Sequence, residues 1–133
     1  MRKMALIVTA SLLIGGAGVA VAKRDFKSVP EAKEVGKPIS CVPLRQIRET
    51  RVHGDQTIDF VMLGRNKVYR NKLPYSCPSL GFEERFSYKT SLSILCSTDI
   101  ITVLRTTGGG LDSGASCGLG EFQPVEIIKT AAK

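Results

Sequence analysis

Residues 56–73 read QTIDFVMLGRNKVYRNKL, and how this stretch divides decides the fold. Ile58, Phe60 and Met62 alternate with Thr57, Asp59 and Val61, a period of two that buries one face of a strand. Gly64-Arg65-Asn66 supplies a turn, and Lys67 to Leu73 returns as the hairpin partner. Upstream, His53-Gly54-Asp55 is a second turn triplet and Arg48 to Val52 reads as a strand. These segments predict a three-stranded antiparallel meander. Before it, Pro43 to Ile47 reads as one helical turn with Pro43 at its first position.

Downstream, Pro74 and Pro78 flank Cys77 and break the sheet. Residues 79–84, SLGFEE, read as a loop or a helical turn. Arg85 to Thr90 is a strand candidate with Phe86 and Tyr88 on one face, and Leu92 to Cys96 is short and apolar. Ile100, Ile101, Val103 and Leu104 make 99–105 a buried strand. Residues 108–120 hold six glycines and predict loop or turns. Phe122 to Ile128 reads as a last edge strand, its pairing limited by Pro124. The expected fold is mainly β: a small antiparallel sheet, barrel or sandwich of five to six short strands, with two disulfides and little helix. One β-rich domain spans 39–128, after a polar, flexible leader over 23–38 and before a frayed tail at 129–133.

Further out, the chain begins MRKMALIVTASLLIGGAGVAVAK. A short basic start, an uncharged run from Met4 to Ala22 and an Ala20-Val21-Ala22 end form the pattern of a signal peptide cut after Ala22. The rival reading, a membrane anchor, needs about 20 apolar residues, and glycines interrupt this run. Removal of residues 1–22 leaves no transmembrane segment and places the protein in the periplasm or outside the cell. Of the 19 Lys/Arg, two lie in that segment, so 17 remain against 12 Asp/Glu, a net charge of +5. In an exported protein such a charge points to an anionic envelope component or an acidic protein as partner, and away from nucleic acid.

Cys41, Cys77, Cys96 and Cys117 all follow the signal segment. An even count in an oxidising compartment reads as two disulfides. Without a C-x-x-C pair, and with one histidine, neither redox nor zinc spacing is present. Three pairings are possible; Cys77–Cys96 with Cys41–Cys117 is favoured, the first clipping a local segment and the second tying the domain ends.

GASCG at 114–118 has the G-x-S-x-G form of a nucleophile elbow, which needs a strand before the serine and a helix after it. Gly118, Gly120 and Pro124 oppose a helix there, so the motif reads as a glycine turn around Cys117. A small serine hydrolase using Ser116 and His53 is the minor alternative. His53 reads as an exposed turn residue, and Glu83, Glu84 and Asp112 as surface carboxylates that no spacing pairs. Gly108-Gly109-Gly110 lacks the Lys-Ser/Thr ending of a phosphate loop. No metal site, cofactor or catalytic residue is expected, and the protein is read as a non-enzyme. The meander carries Arg45, Arg48, Arg51, Arg65, Lys67, Arg70 and Lys72. Spacing of two puts Arg65 with Lys67, and Arg70 with Lys72, on shared faces. Arg48, Arg51, Arg65, Lys67, Arg70 and Lys72 are therefore candidate polyanion-binding residues, unless these charges only protect sheet edges.

The stretch TIDFVMLGRNKVYRNKLPYSCPSLGFEERFSYKTSLSILCSTDIITVL, with GASCGLGEFQPV after the glycines, resembles a family of small exported proteobacterial proteins of unknown function. The likeness covers roughly 40–125. It implies export and one cysteine-containing domain, and brings no activity, ligand or site residue. The functional expectation is an exported, non-catalytic binding or structural protein of the bacterial envelope. A second is an inhibitor of an envelope or extracellular enzyme, working through an exposed loop at 105–116.

Overall fold

The alternation over 57–62 forms the strand it predicts. In the computed structural model, which describes residues 29–129, β3 (Ile47–His53), β4 (Thr57–Met62) and β5 (Val68–Lys72) run antiparallel in the expected meander. Gly54 and Gly64 take left-handed angles in the two turns, with φ of 72° and 108°, which favour glycine. The expected helical turn is a 3₁₀ turn at Leu44–Gln46, with Pro43 one residue before it. SLGFEE contains one helical turn, α1 (Leu80–Glu83).

The described residues hold seven other strands: β1 (Ala32–Glu34), β2 (Cys41–Pro43), β6 (Phe86–Tyr88), β7 (Ile94–Cys96), β8 (Ile100–Thr107), β9 (Gly110–Gly118) and β10 (Phe122–Ile127). They form three antiparallel sheets, ordered β1-β10-β5-β4-β3, β2-β7 and β6-β8-β9. The fold is mainly β, as expected, but with ten strands among the described residues rather than five or six, and none of the sheets they form closes into a barrel.

The core lies where these sheets meet. Val52, Ile58, Phe60, Met62 and Phe122 of the large sheet pack against Val42, Leu95, Ile101 and Val103 of the smaller ones and against Leu80 of α1. Phe60 meets the Phe122 ring edge-on at 5.3 Å and the Phe86 ring at 6.4 Å. Burying each such side chain contributes about 1.5–3 kcal/mol.

Several expectations are corrected. Order begins before Ile39, because Ala32–Glu34 of the expected leader is a strand paired with β10. The expected signal peptide, the start of the leader and the last four residues lie outside the described residues. β10 is an interior strand between β1 and β5 rather than an edge. Pro124 is tolerated because its carbonyl accepts from Val35 N–H on the β1 side. Its missing donor faces that same side, so the ladder to β5 loses nothing. The glycines at 110–118 form β9 rather than loop. There the register slips opposite 102–104, and a Cβ on Gly114 would sit 3.1 Å from the Val103 carbonyl oxygen. β8 is buried on one face only: Ile101 and Val103 are enclosed while Ile100 is exposed.

The disulfides are Cys41–Cys96 and Cys77–Cys117, not Cys77–Cys96 and Cys41–Cys117. β2 pairs with β7 so that Cys41 lies directly opposite Cys96. β9 brings Cys117, opposite Ile101, to the core-buried Cys77. Closing loops of this size stabilises by about 3–4 kcal/mol each in the chain-entropy account.

Candidate functional site

On the face of the large sheet turned away from the core, strand register aligns three rows of side chains. The first is Glu34, Val125, Val68, Val61 and Glu49; the second Gln123, Arg70, Asp59 and Arg51; the third Lys72, Thr57 and His53. Glu121, two residues before Gln123, extends the third row beside Lys72. The three valines form a small apolar cluster with Ala32 and Ile127.

Asp59 is the electrostatic centre of this face. Its side chain is 3% exposed. Arg70 donates to it through Nε at 2.8 Å and Nη2 at 2.9 Å, the two-pronged geometry that makes such contacts strong. His53 Nε2 lies 3.0 Å from Asp59 Oδ2. A carboxylate buried this far from water is tolerated because it is paired. The Arg70 guanidinium is thereby fixed in place.

Over Arg70 runs a groove of about 570 Å³, lined from the sheet by Thr57, Arg70, Lys72, Glu121, Gln123 and Val125 and walled by Val29, Ala32, Glu34 and Pro38. Gln123 donates to the Gly36 and Pro124 carbonyls, which holds the wall against the sheet. Lys72, Glu121 and Glu34 take part in none of the ion pairs among the described residues. Below the groove, the Asn71 side-chain amide bonds both backbone groups of Gly120, at 2.7 and 2.8 Å.

The six basic candidates are dispersed. Arg70 and Lys72 do share a face and line the groove. Arg51 pairs with Glu49, and Arg48 lies 3.5 Å from the same carboxylate. Arg65 lies in the exposed β4–β5 connection, and the Lys67 ammonium lies over the Tyr69 ring, 5.9 Å from its centre.

Ser116 stands within β9, so the G-x-S-x-G motif is neither an elbow nor the expected turn. Its hydroxyl is 3.0 Å from that of Thr102, whereas the His53 ring nitrogen meets Asp59. His53 itself is buried rather than an exposed turn residue. Glu83 accepts from Thr106 N–H at 3.2 Å. Among the described residues, no three metal-ligating side chains gather, and no helix is long and apolar enough to cross a membrane.

Sequence reasoning missed Asp59, Thr57, Gln123, Glu34 and Glu121. A lone carboxylate in an apolar alternation was the available signal for Asp59. Glu34 offered none, because it comes to the groove through pairing with a strand far along the chain.

No protein-family model, curated protein or solved structure matches the chain.

Proposed function

We propose that this is an exported protein of the bacterial envelope that acts by binding rather than catalysis, through the groove on the outer face of the large sheet. The observation that carries this reading is a guanidinium fixed by a buried carboxylate beneath a groove whose other charges are unpaired. Fixed donors of this kind give recognition without needing to be ordered on binding. The two disulfides suit a periplasmic or extracellular setting.

A photo-crosslinking residue at position 72 in living cells tests the reading, with one at Arg65 as the control. We expect adducts from position 72 alone, on material whose intact mass lacks residues 1–22 and gains four hydrogens on reduction. Equal adducts at both positions would overturn it, as would labelling by a serine-directed probe that vanishes in Ser116→Ala.

A second reading, enzyme inhibition, draws support from the β8–β9 hairpin. Its residues from Arg105 to Ser113 are all exposed, yet all but the turn residues Gly108 and Gly109 are held in strand register, with Leu111 presented to solvent. Loss of protease or glycosidase inhibition in a Leu111→Ser variant would single it out.

A further inference from the structure

We propose that the groove takes a short peptide with both ends free, about two residues long. This deepens the binding function proposed above and rests on it. The charges decide the ligand class. Arg70 and Lys72 are matched by Glu34 and Glu121 on the same groove, and Asp59 already offsets Arg70 from below. A polyanion laid here would meet two carboxylates and gain little. A zwitterion meets both signs favourably.

Spacing decides the ligand size. The cations stand on β5, and Glu121 extends the neighbouring strand beside Lys72. Glu34 stands on β1, one strand beyond β10. Adjacent strands lie about 4.8 Å apart and residues two apart along a strand about 7 Å, so the strand position of Glu121 is about 5 Å from that of Lys72, and that of Glu34, one row away, about 12 Å from that of Arg70. Two extended residues reach about 7 Å, between these limits. The peptide carboxylate faces Lys72 and the Arg70 guanidinium, whose Nε and Nη2 bond Asp59 and whose Nη1 keeps its donors. Its ammonium faces Glu121 or Glu34. Val125 and Ala32 give an apolar side chain a surface. The unpaired state of Lys72, Glu121 and Glu34 means that no protein ion pair must be broken first.

The test is titration of the disulfide-intact protein with the dipeptide Ala-Leu, its N-acetyl form and its C-terminal amide, followed by calorimetry and backbone amide NMR. Polyphosphate serves as the anion arm. We expect saturable binding of Ala-Leu, with shifts at Lys72 and Gln123, and binding about tenfold weaker for each blocked form, the loss of one charged contact. Lys72→Met and Glu121→Gln should each weaken Ala-Leu binding by about tenfold. Both leave the Asp59 pairing intact, and an unchanged spectrum elsewhere confirms the fold. Blocked forms binding as well as the free peptide would overturn the proposal, and so would the absence of saturable shifts at millimolar peptide. Shifts at Lys72 with polyphosphate alone would overturn the peptide and leave the groove as a binding site. If nothing moves these resonances and position 72 gives no adducts in cells, both readings fall.

Discussion

The two faces of the large sheet are built from alternate residues of the same strands, yet different forces keep water from them. On the inner face, Ile58, Phe60 and Met62 pack against apolar groups of the smaller sheets. On the outer face, Asp59 is 2% exposed, against 0% for its neighbour Phe60, but its polar partners are Arg70 and His53. An apolar contact tolerates small changes of angle, whereas a buried ion pair is sensitive to the loss of either partner. The alternation in TIDFVM therefore reports which face is oily, not which face is buried, since all six residues are enclosed.

Denaturant unfolding of variants can break or sharpen this contrast. The largest loss is expected on the inner face, where Phe60→Ala should cost about 3–5 kcal/mol by opening a cavity. Asp59→Ala should follow at about 3 kcal/mol, because Arg70 and His53 lose the carboxylate between them. If Asp59→Ala costs less than about 0.5 kcal/mol, the value of an ordinary surface change, the outer network is ornamental. Gly120→Ala should cost about 1–3 kcal/mol, since its Cβ would sit 2.2 Å from the Lys72 carbonyl oxygen and force backbone apart. The paired replacement Asp59→Leu with Arg70→Met should lie within about 1 kcal/mol of the parent, well above the single Asp59 variant in stability. Arg51→Ala, which removes only an exposed contact to Glu49, should change stability by less than about 0.5 kcal/mol.

The legible parts of the fold were the local ones. The hairpin over 57–73 follows from alternation and a glycine turn, because its pairing needs nothing from elsewhere in the chain. Its register was less accessible. A turn centred on Arg65 would set Arg70 opposite Phe60, whereas the observed register sets it opposite Asp59. That one-residue slip would move Arg70 to the other face, which is why the Asp59–Arg70 pair stayed hidden. Glycines misled at 110–118, where Gly114 serves close backbone approach within a strand rather than freedom in a loop. The partnerships Ala32 with Ile127 and Cys41 with Cys96 join distant segments, and neither leaves a local mark. Of the groove, the cationic pair Arg70 and Lys72 was visible through its spacing of two; its carboxylate rim was not.

The interior place of β10 has a consequence for the integrity of the large sheet. β1, near the start of the described chain, finds its only sheet neighbour among the described residues in 125–127. Without those residues, β5 presents an open edge and β1 has nothing to dock on. Closure of the large sheet, and of the groove across it, therefore rests on pairings that reach across nearly the whole described sequence.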